Sequence, residues 1–516
     1  MAQTRVIVVG AGIGGLTSAA LLAAQGCDVT VCDMANGPGG KARRDDVAGV
    51  AVDAGPTVFT KRDVFAGIFE SCGGSLDDAV TLRPANILAR HAWTTDERLD
   101  LFADPAASED SIARFAGPAE ARGYARFKAA AKRAHDTLDP TFMRASKTSP
   151  LGLMGRIGLH RSGDMLAIRP LRNLWSVLGD FFHDPRLRQL FGRYATYCGS
   201  SPFKASATLM LIAHVEAEGV WLVDGGMSAL SRALEDLGKR NHARFRYGCK
   251  VDRILVEQGR AAGVILSSGE RLSADRIVMN CDPSALATGL FGDDAVRAVP
   301  ALRPADRSLS AVTFLGHVTA SGFDLSHHNV FFSNNYRAEF ESIRHGQLAT
   351  APSVYLCAQD RGADGSAPSG PERVQIIVNA PANGDTHNYS EQEIASCRTH
   401  MLESLSRGGL TLEGPLQATT PTEFNRRYPA TGGALYGRAS HGWAASFRRP
   451  GASTQIPGLY CAGGGTHPGA GVPMAALSGQ LAAASLLSDL ASTRMFQPAA
   501  TAGGTSTRSA TMAPMA

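Results

Sequence analysis

Residues Gly10-Ala11-Gly12-Ile13-Gly14-Gly15 stand between an apolar, β-branched run, Val6 to Val9, and a run of helix formers, Leu16 to Gln25. In that strand–turn–helix setting the pattern G-x-G-x-x-G constrains the fold more than any other feature of the chain. Gly10 permits the tight turn, Gly12 lets a pyrophosphate approach the backbone, and Gly15 allows the helix to pack closely, with its first-turn amides facing the anion. Gly26 stops the helix and Asp28 to Cys32 returns as a second strand, giving a β-α-β unit. Asp33, at the end of that strand, is placed to accept hydrogen bonds from the ribose hydroxyls of an adenosine. A tight turn in an unrelated α/β protein explains the hexapeptide alone; the placement of Asp33 favours a dinucleotide.

At 516 residues the chain is long for one hydrophobic core, so two domains are expected. Its 51 Lys and Arg nearly balance 47 Asp and Glu, and no basic run is interleaved with aromatics, which sets nucleic acid aside as a partner. The nine cysteines are scattered without a C-x-x-C pair; they read as reduced core thiols of a cytoplasmic protein, and no metal site is expected. Val6 to Ala24 and Leu459 to Leu477 are uncharged, but their glycines read as turns rather than as a membrane span.

Helix signals continue from Pro118 through His135 and from Ser228 to Leu237, while Lys250 to Val256, Gly263 to Ser267 and Arg276 to Met279 alternate like strands. Between residues 151 and 182, apolar side chains including Leu151, Leu153, Met154, Ile157, Ile168, Leu171 and Leu174 are interleaved with Arg156, Arg161, Arg169 and Arg172. Apolar groups that enter lipid beside arginines that meet anionic headgroups make this the candidate membrane contact; core helix with snorkelling arginines is the alternative. Residues 496–516 have the composition of a disordered tail.

Further motifs separate FAD from a nicotinamide. Gly39-Gly40-Lys41 follows the second strand, Asp53-Ala54-Gly55-Pro56-Thr57 marks a turn, and a second glycine-rich run spans Gly458 to Val472 and continues through Pro473-Met474 to Gly479. The combination resembles the bacterial carotenoid desaturase family, relatives of phytoene desaturase within the FAD-dependent amine oxidase superfamily, over nearly the whole chain. The core Thr466-His467-Pro468-Gly469 is its most specific part. Asp53 to Thr60, Leu88 to Trp93 and Leu99 to Phe102 look closest to the hydroxyneurosporene and methoxyneurosporene desaturases of that family, with phytoene desaturase as the near competitor.

The resemblance implies an α/β fold of the superfamily's type, with a discontinuous Rossmann-like FAD-binding domain (residues 1–85, 216–290 and 451–495) and an inserted mixed α+β substrate domain (86–215 and 291–450). FAD is the implied cofactor, held by Gly10, Gly12, Gly14, Gly15, Asp33, Gly39, Gly40, Lys41, Val251, Gly463, Gly464, Gly471, Val472 and Met474. Lys41 is implied at the phosphate or ribose and Val251 beside the adenine. Many relatives carry Arg where Lys41 stands, so a bidentate contact is lost. The implied reaction places a double bond, at the 3,4 position, in an acyclic 1-hydroxy- or 1-methoxycarotenoid. So long and apolar a substrate implies a protein held peripherally at the inner or photosynthetic membrane.

No side chain accepts a hydride, so the hard step belongs to a cofactor, and the protein is asked for alignment and for exclusion of water. No catalytic acid or base is identified. His467 suits a loop-holding hydrogen bond better than catalysis, and His91 and His214 read as ordinary packed or exposed histidines. A flavin-dependent carotenoid isomerase or cyclase, a prenyl-binding carrier and an amine oxidase stand as alternatives. The intact glycine fingerprint and Asp33 argue against the carrier, and no aromatic cage is evident for the amine oxidase.

Overall fold

A computed structural model describes residues 3–158, 163–164 and 168–495. The first apolar run forms the strand Arg5–Val9, which pairs in parallel with Asp28–Cys32 on one side and Arg276–Met279 on the other. Strands covered on both faces need no polar alternation, which is why this run is continuously apolar. Leu459–Cys461 adds beyond Arg276–Met279 and Arg244–Arg246 beyond Asp28–Cys32, so a five-stranded parallel sheet gathers strands from both ends and the middle of the chain.

One face of that sheet is covered by the helices Ile13–Ala24, Met227–Arg240 and Val472–Met495, through Leu16, Leu22, Leu230, Leu234, Leu477 and Leu486. The other face carries a three-stranded antiparallel sheet, Val251–Glu257, Arg260–Leu266 and Arg271–Ser273, whose Ile254 and Val264 pack on Ile7, Val9 and Ile277. The first helix starts at Ile13, earlier than helix propensity indicates, because Gly14 and Gly15 lie inside its first turn. Steric contact decides this: a Cβ on Gly15 would stand 2.1 Å from the Gly10 carbonyl oxygen.

A larger, mostly antiparallel sheet of eight strands lies apart from the first; its order runs Thr411–Glu413, Ser310–Ser321, Glu372–Ala380, Val354–Ala358, His328–Phe331, Ile87–Ala92 and Arg98–Phe102, with Leu416–Thr419 beside Ser310–Ser321. One of its faces packs Val312, Phe314, Leu356, Ile376 and Val378 against Met401 and Leu405 of the helix Glu391–Arg407. The opposite face, with Leu99, Val330 and Phe332, meets a mainly helical layer through Phe127, Leu187, Leu190 and Phe191.

The segment 151–182 divides between core and surface. Leu153, Ile157, Ile168, Leu174, Leu178 and Phe181 are core residues, whereas Leu151, Met154 and Leu171 are 78%, 52% and 80% exposed. Arg169 and Arg172 both pair with Asp180, and Arg156 donates to the Thr141 and Ser146 carbonyls, so these three cations are engaged with the chain itself. Leu159, Arg161, Leu166 and the tail at 496–516 lie outside the described residues. Val6 to Ala24 is a strand, a turn and a helix, and Leu459 to Leu477 a strand, a loop and a helix start. The helix Val472–Met495 is long and apolar enough to cross a membrane, yet Ala476, Leu477, Ala482, Ala483 and Leu486 belong to the core beside the first helix.

Gly479 approaches the first helix so closely that a Cβ would lie 2.3 Å from the Gly14 carbonyl oxygen. Gly479→Val is expected to cost about 3 kcal/mol of stability, read as a lower urea midpoint. Ala484→Val, on the exposed side of the same helix, should stay within about 0.5 kcal/mol; equal midpoints for the two variants would contradict this packing.

Candidate functional site

The glycine turn is built as a cradle. Gly10, at φ 100°, donates its amide to the Cys32 carbonyl at 2.8 Å, which ties the turn to the second strand. Asp33 completes the tie. Its carboxylate accepts from the Ala11 amide at 2.6 Å and from the Ala35 amide at 2.7 Å, while burial raises its pKa. Gly39 donates to the Ala11 carbonyl at 2.8 Å, and a Cβ on Gly40 would be 3.2 Å from the Gly12 Cα, so this second glycine pair lies directly on the first turn.

The C-terminal glycine run arrives from the other side. A Cβ on Gly14 would meet the Gly463 nitrogen at 2.7 Å, and the Gly463 amide donates to Ser478 Oγ at 2.7 Å. Gly464 faces open space, Gly471 (φ 109°) precedes the helix beginning at Val472, and Met474 packs against the core on that helix's first turn. Val251 is buried with Val9 and Cys32, and nearby the Cys249 amide donates to the Asp33 carbonyl at 2.8 Å. The glycine turns, Asp33, Val251 and the first turns of two helices therefore converge at the carboxyl ends of the parallel strands, where open α/β sheets bind ligands.

Sequence reasoning missed Asn280, which ends the strand Arg276–Met279. Its side chain or backbone is the nearest neighbour of prospective Cβ atoms at Gly10, Gly12 and Gly463, and its Nδ2 donates to the Gly10 carbonyl at 3.3 Å. Asn280 Oδ1 is buried without a partner. A polar residue directly after a strand that borders the glycine strand was the available signal. These features fit a flavin dinucleotide: backbone amides freed of side chains, two helix N-termini, and an orphaned buried polar atom beside them.

Lys41 donates to the Leu435 carbonyl at 2.6 Å with its ammonium over the Tyr428 ring, and burial lowers its pKa. Arg449, also missed, is 2% exposed and donates to the Tyr436 and Gly464 carbonyls at 3.0 and 3.1 Å, clamping the C-terminal glycine run to residues 436–438. His467 bonds through Nε2 to the Ala145 carbonyl at 2.9 Å, and its ring abuts Phe142, a loop-holding arrangement. His91 is fully buried and bonded to the Leu99 carbonyl; His214 lies near Glu218.

A family model described as flavin containing amine oxidoreductase matches residues 13–487. The chain belongs to that family. Hydroxyneurosporene desaturases of Rubrivivax gelatinosus (48% identical, covering 99% of this chain and 98% of the relative) and Cereibacter sphaeroides (46%, 95% and 98%) place it among the carotenoid desaturases. A zeta-carotene-forming phytoene desaturase of Myxococcus xanthus is 28% identical over 92% of each chain. Of the solved structures, putrescine oxidase bound to putrescine shares the fold, with a TM-score of 0.58 at 14% identity over 95% of this chain and 99% of that one. This flavin-containing amine oxidoreductase is thus an FAD-dependent oxidoreductase with the α/β architecture expected from its sequence.

Asn280→Asp is nearly isosteric but puts a negative charge in the cradle. FAD binding is expected to weaken about tenfold, measured by flavin fluorescence titration, with the melting temperature of the FAD-free protein little changed. Unaltered affinity would remove Asn280 from the site.

Proposed function

We propose that this protein introduces a double bond, at the 3,4 position, into an acyclic 1-hydroxy- or 1-methoxycarotenoid. Near-50% identity to a hydroxyneurosporene desaturase along 99% of the chain carries this reading. FAD would be held by Gly10, Gly12, Gly14, Gly15, Asp33, Gly39, Gly40, Gly463, Gly464, Gly471, Val472 and Met474, with Val251 at the adenine and Lys41 near the phosphate or ribose. Its residues would come from 1–85, 216–290 and 451–495, and the substrate's from the intervening segments. When bound, FAD supplies the hydride acceptor that side chains lack.

Dehydrogenation takes a hydride and a proton from neighbouring methylenes, and the positive charge that develops spreads along the polyene. The chain's part is to hold the reacting carbons in register and keep water away from that charge. The apolar layer formed by Leu99, Leu101, Phe127, Val330 and Phe332 suits both tasks.

Delivery of so apolar a substrate favours a peripheral membrane protein, and exposed apolar groups offer the contact. Leu151 and Met154 stand on the helix Pro150–Ile157, which packs near Phe142; Phe142 meets Phe447, and Phe447 meets the half-exposed Trp443. Leu171 lies close by, since Arg172 accepts from the Ala207 amide and Ser206 donates to the Ser440 carbonyl. Two distant segments thus present Leu151, Met154, Leu171 and Trp443 on neighbouring surface, a layout suited to shallow insertion among lipids.

Incubation of the FAD-loaded protein with 1-hydroxyneurosporene, neurosporene or phytoene in liposomes tests the reaction. A product of the first lighter by two hydrogens is expected; an isomer of unchanged mass would indicate an isomerase or cyclase. For the membrane contact, changing Leu151, Met154 and Trp443 together to Ser should reduce vesicle flotation about tenfold. Undiminished flotation would reject this surface.

A further inference from the structure

The interior face of the eight-stranded sheet carries a polar patch beside the turn that follows Asp53. His328 lies opposite Cys357, Cys357 opposite Gln375, and Tyr355 opposite Val330, so these side chains share a face across three strands. From the turn after Asp53, Thr57 Oγ1 reaches the Tyr355 hydroxyl at 2.7 Å, and His328 Nδ1 lies 2.7 Å from that same hydroxyl. Gln375 Nε2 donates to the Gly55 carbonyl of the same turn at 3.0 Å. Two atoms of the patch have no partner, His328 Nε2 and Gln375 Oε1, on residues only 2% and 1% exposed. Buried polar atoms are nearly always paired, and leaving them unpaired costs free energy that a ligand can recover.

We propose that this patch reads the oxygen function of the substrate, with Thr57, Tyr355, His328 and Gln375 as the residues that favour an oxygenated carotenoid end over a hydrocarbon one. The inference rests on the hydroxycarotenoid reading above. Its location suits the task, because a Cβ on Gly55 would stand 1.9 Å from the Lys41 carbonyl oxygen, which places the turn against the glycine cradle. In a 1-hydroxycarotenoid the oxygen is three to four single bonds from the 3,4 carbons, about 4–5 Å. A reader of that oxygen must therefore lie close to the reacting carbons, and the turn that carries Thr57 borders the cofactor cradle.

The hydrogen-bond chain explains which groups it accepts. Burial, with the neighbouring His327 and then Arg193, holds His328 well below the usual histidine range, so its ring is neutral. If Tyr355 donates to Nδ1, Nε2 carries the proton and donates to the substrate oxygen; if the chain runs the other way, Nε2 accepts. Gln375 Oε1 only accepts. With the proton on Nε2, a hydroxyl satisfies both orphaned atoms and a methyl ether satisfies His328 alone; with the proton on Nδ1, a hydroxyl satisfies one of the two and a methyl ether neither; a hydrocarbon satisfies neither atom in either case. A site that hydrogen-bonds a substrate hydroxyl rejects the analogue lacking it more strongly than any apolar pocket rejects an extra methylene.

The test is the ratio of kcat/KM for 1-hydroxyneurosporene to that for neurosporene, with the ratio of binding affinities, read from polyene absorption shifts, as a measure independent of turnover. Flavin absorbance verifies that each variant is folded and loaded. Tyr355→Phe and His328→Leu are expected to lower both ratios about tenfold, the worth of one such hydrogen bond, with His328→Gln intermediate. Variants that slow both substrates equally and preserve the ratios would overturn the proposal and leave the desaturase reading intact. A wild-type ratio near unity would overturn it too. Should the wild-type protein desaturate neither polyene, the desaturase reading falls, and the binding ratios alone decide the patch.

Discussion

The molecule depends on a backbone-to-backbone approach that only glycine permits. Gly14 lies against the Gly463 amide and Gly479 against the Gly14 carbonyl, with no room for a Cβ at either place. This contact joins the first helix to the last and sets Leu459–Cys461 into the same parallel sheet as Arg5–Val9, separated only by Arg276–Met279. Chain ends more than four hundred residues apart in sequence thereby form one site. The same absence of side chains that allows the helices to meet exposes the amides an anionic cofactor needs, so packing and binding share one cause.

From that junction the second sheet acquires its role. Its outer face is a dry core against the helix Glu391–Arg407, and its inner face looks toward the helical layer. The turn carrying Asp53 to Thr57 bridges the two halves, because Gln359 exchanges hydrogen bonds with Asp53 while Gln375 and Tyr355 hold Gly55 and Thr57. A polyene lying along the apolar face would have its reacting end fixed by the same turn that borders the cofactor cradle. Arg449 and His467 then tether the C-terminal glycine run to residues 436–438 and 145, which limits how far the two halves separate.

The cradle was legible in the sequence because chemistry dictates residue type there: Gly10 has a positive φ, Gly15 lies against the Gly10 carbonyl with no room for a Cβ, and Asp33 is recognisable by its place at a strand end. Asn280 was not legible, since an asparagine after an apolar strand gains meaning only once that strand is known to neighbour Arg5–Val9. Local spacing held more than was read from it at residues 151–157, where Leu153 and Ile157 are four apart on the buried side and Leu151 and Met154 three apart on the exposed side. Trp443 had no such signal, because its neighbours come from a segment almost three hundred residues earlier. The polar patch was equally hidden: His328, Tyr355 and Gln375 sit on three strands whose pairing no periodicity reveals.

The most direct measurement is a crystal structure of the FAD-loaded protein. One FAD is expected, with its pyrophosphate against Gly10–Gly15, its adenosine at Asp33, and the first turn of the helix Val472–Met495 facing the flavin. A nucleotide bound elsewhere, or an FAD touched by only one of the two glycine runs, would contradict it.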